Sequence, residues 1–197
     1  SQLKVRTRSA LVAVMLFLLA MPRHADAGSG GFAVYRATMI DKQFYAKGNG
    51  ESAALWRIQN VDQAYLKSTA VSVGEPLLTD QDVIQYCWLG HRMRLTEDAQ
   101  KRWRTALLDT PLAGSPIVIV VDSTVCYAGM VWAVPSSLSP PKVPFMDNMA
   151  MGGELRIQLA GRPTGEHQAD ERYDERIKRF FQQVRKLAPT CETGWLK

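Results

Sequence analysis

A run of five apolar, β-branched residues, Ile117 to Val121, constrains the fold of this chain more than any other feature. Pro116 precedes the run and the turn residues Asp122-Ser123 follow it. A short apolar run of this kind, bounded on both sides, indicates a strand that is buried on both faces. The segment 124–132 then predicts the second arm of a hairpin. Gly129 within that arm indicates a bulge or a close approach of another backbone segment.

An amphipathic helix is predicted just before this hairpin. Thr96 is a suitable N-cap, because its hydroxyl can accept a hydrogen bond from a free amide of the first turn. Glu97 and Asp98 place negative charge at the positive end of the helix dipole. The apolar residues fall on one helical face, at Ala99, Trp103, Ala106 and Leu107.

Three motifs follow one another around this unit. The sequence LLTDQDV at 77–83 precedes LTEDA at 95–99, and IVIVVD at 117–122 precedes the returning strand. In this order the segment 75–132 resembles the small periplasmic subdomain of the SecD export subunit, and it is similar to small secreted or lipoprotein-like bacterial chains with the same core. Ser123 stands where the family has glycine, and the membrane-spanning part of SecD is absent. The resemblance implies a fold and a compartment, and it does not imply an export activity.

The first 27 residues have the pattern of a signal peptide. Basic residues open the segment, an apolar run of about a dozen residues follows at 10–21, and Ala25-Asp26-Ala27 fits a small-x-small cleavage site. We therefore expect cleavage before Gly28 and a periplasmic or secreted protein, with a retained membrane anchor as the alternative. No second apolar run is long enough to span a bilayer, so we expect no stable membrane insertion after cleavage.

The basic composition of the chain is concentrated in this segment. The whole chain has 24 basic and 19 acidic residues. The first 27 residues hold four of the basic residues and one of the acidic ones, which leaves a net charge of +2. The high isoelectric point therefore does not indicate a nucleic-acid partner.

Cysteine pairing is left open by the sequence. In an oxidising compartment two of Cys87, Cys126 and Cys191 can pair. A disulfide between Cys87 and Cys126 is geometrically feasible, because both residues lie on predicted strands. The alternative, which we favour, is that both are small buried apolar side chains. Cys191, near the end of the chain, is then the more exposed thiol.

The remaining pattern predicts a single α+β domain over residues 28–197. Its sheet is mostly antiparallel, and two main helices, at Thr96 and at Asp170, are expected to pack on one face of it. Further elements are predicted from alternation and turn residues: strands at 32–40, 66–73 and 154–159, a helical turn at 79–82, a hairpin of 83–88 with 91–95, and a helix over 170–187. The segment Gly74-Glu75-Pro76 is expected to end the strand at 66–73.

The Pro-rich loop 135–144 and its flanks suggest a binding surface. Trp132, Phe145, Met146 and Met149 lie beside or after this loop, and exposed apolar, Met-bearing loops suit adaptable binding. The alternative is that these side chains cover the core.

Candidate catalytic and metal sites are weak. His91 with Cys87 or Cys126 suggests a small hydrolase or thiol enzyme, but no orienting partner is evident. Glu166, His167 and Asp170 are a poor metal-ligand set without a second histidine. No phosphate-binding loop, nucleophile elbow or paired-cysteine zinc motif occurs, so no cofactor and no metal are expected. The sequence therefore favours a non-enzymatic module that binds an envelope protein or an exported polypeptide.

Overall fold

The computed structural model describes residues 30–39, 67–68, 70–110, 114–133, 143–150, 152–159, 170–188 and 190–191. Along these ranges the chain forms nine strands and two α-helices, namely β1 Phe32–Met39, β2 Ala70–Thr79, β3 Val83–Cys87, β4 Arg92–Leu95, α1 Glu97–Ala106, β5 Ser115–Val121, β6 Thr124–Trp132, β7 Phe145–Asp147, β8 Glu154–Gln158, α2 Glu175–Gln183 and β9 Leu187–Ala188. Short 3-10 turns span Asp80–Asp82 and Glu171–Tyr173. The predicted signal peptide lies outside the described residues.

The strands form one sheet in the order β2-β1-β5-β6-β7-β8-β4-β3-β9. Six of the eight neighbouring pairs are antiparallel, and β6–β7 and β3–β9 are parallel. The predicted α+β class and the mostly antiparallel sheet are therefore confirmed. The hairpin of β5 and β6 lies near the middle of the sheet, as its continuous apolar sequence requires.

The central strands have a core on each side. Ile117 and Ile119 of β5 belong to a first core, and Val118 and Val120 belong to a second core on the opposite side of the strand. The prediction that the run 117–121 is buried on both faces is confirmed. The first core also contains the buried residues of both helices, which are Ala99, Trp103, Ile177, Phe180 and Phe181, together with Leu107, which follows α1.

Helix α1 begins where the sequence predicts. Thr96 adopts an extended conformation, and its side chain accepts a hydrogen bond from the amide of Ala99 at 3.2 Å. Ala99, Trp103 and Leu107 are buried, whereas Ala106 is exposed. The predicted apolar face is therefore one residue too wide.

The predicted helix over 170–187 is too long. Asp174 accepts a hydrogen bond from the amide of Arg176 and begins α2 anew after the 3-10 turn. Arg185 has a φ of +57°, which ends the helix, and Leu187 then joins β9 beside β3. The apolar spacing continues across both of these breaks, so periodicity alone predicted one uninterrupted helix.

Strand β7 corrects the prediction for residues after the Pro-rich loop. The sequence predicted no strand there, but Phe145–Asp147 pairs in parallel with β6 and antiparallel with β8. The amide of Met130 donates to the carbonyl of Pro144 at 3.0 Å. A side chain at Gly129 would collide with that same carbonyl. The close backbone approach predicted at Gly129 is therefore confirmed.

Strand β2 also runs further than expected. It continues through Gly74-Glu75-Pro76 to Thr79, although its register with β1 shifts between Val73 and Leu78. Gly74 has a φ of +70°, which accommodates the irregularity without ending the pairing.

Candidate functional site

His91 lies in the turn between β3 and β4, and its environment decides whether it can act in catalysis. Its φ is +47°, which is uncommon for a residue other than glycine. The residue is only 2% exposed. Its Nδ1 lies 3.3 Å from the hydroxyl of Tyr86, and the ring of Tyr173 stands edge-on with its centroid 4.4 Å away. His91 is thus part of an aromatic cluster at the border of the first core.

Burial controls the protonation of this cluster. Loss of hydration, assisted by the positive charge of Arg172, lowers the pKa of His91 to about 4. Burial also raises the pKa of the phenol of Tyr86 and that of Tyr127 well above their ordinary value. At neutral pH the imidazole and both phenols are therefore uncharged.

Two polar atoms near this cluster have no hydrogen-bond partner within the described parts of the chain. They are Nε2 of His91 and the hydroxyl oxygen of Tyr127, and both are buried. A neutral imidazole nitrogen can act as a general base only when it reaches the proton of a substrate. Since Nε2 is closed off from solvent, the geometry supports a structural role for His91.

An ion pair fixes the segment that carries Tyr173. Arg172 donates from Nε and Nη2 to the two carboxylate oxygens of Asp170, at 2.8 and 2.6 Å, and from Nη1 to the carbonyl of Ile157 at 3.3 Å. Although burial opposes the shift, the hydrogen bonds from Arg172 lower the pKa of Asp170. Both oxygens of the Asp170 carboxylate are thus already engaged.

This arrangement gives no support to the metal site considered at 166–170. Glu166 and His167 lie outside the described residues, and Asp170 is paired with Arg172. No group of three potential metal ligands occurs among the residues that the structure describes.

The cysteines pair differently from the geometric possibility raised by the sequence. Cys87 forms a disulfide with Cys191, with a Cα–Cα distance of 5.5 Å, and Cys126 is free and buried. A Cys87–Cys126 disulfide and an exposed thiol at Cys191 are both wrong. The interpretation that we favoured, in which Cys87 and Cys126 are unpaired buried side chains, holds for Cys126 but not for Cys87. No local pattern indicates that β9 pairs with β3, and this pairing brings Cys191 beside Cys87.

No reactive thiol remains for a Cys/His mechanism. Cys87 and Cys191 are bridged. Burial, followed by the negative charge of Asp174, raises the pKa of Cys126 to about 12. A nucleophilic cysteine needs its thiolate form, which is not populated at neutral pH under these conditions.

The four residues proposed for a binding surface are mostly buried. Trp132 and Phe145 belong to the second core, and Met146 belongs to the first. Only Met149 is exposed, at 44%. Exposure is wrong at three of the four positions, and there the alternative holds, in which the side chains cover the core. The reason is that β7 joins the sheet beside β6, so that side chains of both strands are buried.

A different surface is open to solvent, on the sheet face opposite the first core at β3, β4 and β8. Residues that lie opposite one another on paired strands project to the same face. Arg92 lies opposite Arg156, and Arg94 lies opposite both Glu154 on β8 and Gln85 on β3. We call these five residues the arginine face. Arg94 and Arg156 are exposed, and the other three are partly buried.

The arginine face has an excess of positive charge. Arg92 donates from Nη1 to Oε2 of Glu154 at 3.4 Å. Arg94 and Arg156 form no ion pair with any described residue. Asp147 lies at the edge of this face towards the second core, where its Oδ2 accepts a hydrogen bond from Gln158 at 2.9 Å. Burial raises the pKa of Asp147, and Gln158 and Arg156 oppose that rise.

Sequence reasoning found only part of this surface. Alternation along 91–95 places Arg92 and Arg94 on one side, and alternation along 154–159 places Arg156 away from the core. The pairing of β4 with β8 joins these two patterns, and those strands are separated by about 60 residues of chain. No local signal predicts that pairing.

Comparisons with models of protein families, with curated proteins and with solved structures gave no match to this chain. The resemblance of residues 75–132 to the SecD subdomain therefore stays a prediction. In the described part of the chain, neither helix is long and apolar enough to cross a membrane.

Proposed function

We propose that this chain is a non-enzymatic module of the cell envelope that binds another protein or an exported polypeptide at its arginine face. One observation carries the proposal. Arg94 and Arg156 are open to solvent and unpaired among the described residues, whereas β5, β6 and β7 bury side chains on both sides. A charged, solvated sheet face beside a buried one offers a flat surface for a partner.

The placement of the helices is part of this proposal. We infer that α1 and α2 pack on the same face of the sheet, away from the arginine face. Support comes from their buried residues, since Trp103 and Phe181 both belong to the first core. Arg92, Arg94 and Arg156 project to the other side.

The enzymatic alternative, a small hydrolase or thiol enzyme, has less support. Its nucleophile would be Cys87 or Cys126, and its base would be His91. The first is bridged, the second is buried with a raised pKa, and the third is closed off from solvent. No specific observation favours this activity.

A periplasmic or secreted location is proposed together with the binding function. The signal-peptide pattern at 1–27 motivates it, and the disulfide Cys87–Cys191 is consistent with an oxidising compartment. A nucleic-acid partner is not proposed, because the small net charge beyond residue 27 gives no electrostatic footprint for one.

Site-specific photo-crosslinking in the native cell tests the proposal. A photoreactive residue at Gln85 reports on the arginine face without removing an arginine. The matched control is the same residue at Leu108, which is 78% exposed and follows α1. We expect a discrete polypeptide adduct from position 85 only, reproduced with the purified partner. Equal labelling from both positions, or none from position 85, would reject the proposal.

A further inference from the structure

The three arginines of the arginine face have fixed spacings. Arg92 and Arg94 are two residues apart on β4, which places their Cα atoms about 7 Å apart along the strand. Arg156 lies directly across from Arg92, at a Cβ separation of about 5 Å. Their backbone positions are set by paired strands, so the spacing is rigid even though the exposed guanidinium groups are free to move.

Like charges directly opposite each other destabilise a sheet. Glu154 offsets part of the repulsion between Arg92 and Arg156, through its pairing with Arg92. Arg94 and Arg156 are exposed and form no ion pair with a described residue, although the carboxylate of Asp147 also attracts Arg156. A bound anion between them would relieve this repulsion, so the face is electrostatically complementary to negative charge.

We propose that the partner segment which docks on the arginine face is an extended polypeptide with carboxylates at alternate positions. This inference rests on the proposed binding function. Side chains two residues apart on an extended chain project to the same side about 7 Å apart. This is close to the diagonal spacing of about 7–8 Å between Arg94 and Arg156, the two arginines of the face that form no ion pair with a described residue. Guanidinium groups bind carboxylates in a planar, two-bond geometry that lysine cannot reproduce.

The same charges would also attract an anionic lipid surface, but the face lacks the apolar component of a membrane anchor. Peripheral membrane binding combines basic side chains with apolar ones that enter the bilayer. The five residues of the arginine face are all polar, and Gln158 extends the series beyond Arg156. The one large apolar side chain exposed on these three strands is Ile84, at the register shift in β3, and a single side chain is not the apolar face of a membrane-binding element. The observations therefore favour an acidic polypeptide.

The test uses the full chain and three labelled decapeptides, measured by fluorescence anisotropy. The first alternates Gly and Glu, the second alternates Gly and Gln, and the third has five Glu followed by five Gly. We expect the alternating acidic peptide to bind most tightly, the block peptide more weakly, and the Gln peptide not at all. The double variant Arg94→Gln/Arg156→Gln should weaken binding by about tenfold or more.

Matched variants isolate the role of the face. Arg104→Gln removes an exposed arginine on α1 and should leave the affinity unchanged. Arg94→Glu/Arg156→Glu should reverse the preference, so that a decapeptide alternating Gly and Lys binds instead. Both substituted positions are exposed, and thermal melting of each variant verifies that it remains folded.

The outcomes separate the two proposals. Equal affinity for the double variant and the unaltered chain, or equal affinity for the Glu and Gln peptides, would overturn the acidic-segment inference. Binding to vesicles of phosphatidylglycerol without binding to the acidic peptide would also overturn it. If crosslinking from Gln85 persists in the double variant, the binding function stands and only the acidic segment is rejected. If crosslinking fails in the unaltered chain, the binding function itself is rejected.

Discussion

The indole N–H of Trp103 donates a hydrogen bond to the backbone carbonyl of Asp147 at 3.1 Å. This bond joins α1 to β7, the short strand that completes the middle of the sheet. Trp103 is fully buried in the first core. The indole therefore supplies both packing and the partner for a strand-end carbonyl.

Substitutions at Trp103 separate these two contributions. We expect Trp103→Phe to lower the free energy of unfolding by about 1–2 kcal/mol, because it loses the hydrogen bond and some volume. Trp103→Ala should cost about 3–5 kcal/mol, because it also leaves a cavity. Urea unfolding followed by circular dichroism measures both values. Arg104→Ala, at an exposed neighbouring position, is the control. Equal losses of unfolding free energy for Trp103→Phe and Trp103→Ala would contradict separate contributions from the hydrogen bond and from packing.

The disulfide Cys87–Cys191 should stabilise the fold strongly. It joins residues 104 positions apart and holds Cys191 beside β3. Closing a loop of this length restricts the unfolded chain, and removing such a bridge costs about 2–5 kcal/mol. We expect Cys87→Ala/Cys191→Ala to lower the urea midpoint and to abolish its response to reductant.

Cys126→Ala provides the control for the disulfide. Cys126 is free and buried, so this variant should keep the full response to reductant. In the unaltered native protein, Cys126 should not react with a maleimide, because its thiol is buried and its pKa is raised. Loss of the reductant response in Cys126→Ala would show that the pairing is different.

Acid should destabilise the fold through His91. The folded-state pKa is lowered to about 4, below the ordinary value of 6.5, so the unfolded state binds more protons between these two values. The free energy of unfolding should therefore fall as pH decreases from about 6.5 to about 4, by up to about 3 kcal/mol. The pKa of Asp170 is lowered, so this carboxylate reduces the free energy of unfolding only below its ordinary pKa of 3.8. The pH ranges in which His91 and Asp170 act are therefore separate.

His91→Asn tests the origin of this pH dependence. Asparagine tolerates a positive φ better than most residues, so the turn can keep its conformation. Urea unfolding at several pH values should give a much flatter profile between pH 6.5 and 4.5 than in the unaltered chain. An identical slope in both proteins would assign the effect to another group.

Gly129 should not tolerate a side chain. Gly129→Ala places a methyl group against the carbonyl of Pro144, and that carbonyl is fixed by its hydrogen bond from Met130. We expect a loss of about 1–3 kcal/mol in the free energy of unfolding, because the β6–β7 junction must shift. Hydrogen exchange should show the largest change at the amide of Met130. Unchanged protection there would contradict a clash at this junction.

Local patterns predicted the elements whose signals lie within a few residues. The hydroxyl of Thr96 and the acidic residues after it define the start of α1, and the apolar run 117–121 defines a central strand. The turn at Asp122-Ser123 also follows from local chemistry, with both residues at positive φ. Strand β7 was missed because three residues carry too little periodicity to be recognised.

The sequence by itself determined the α+β class, the hairpin at the middle of the sheet and the position of the capped helix. Tertiary structure alone decided which cysteine pairs with Cys87, which aromatic residues are buried, and which arginines lie together on one face of the sheet. The physical reason is that capping, turn formation and side-chain alternation act over a few residues. The partners of Cys87 and Arg92 depend instead on strands paired across long stretches of chain.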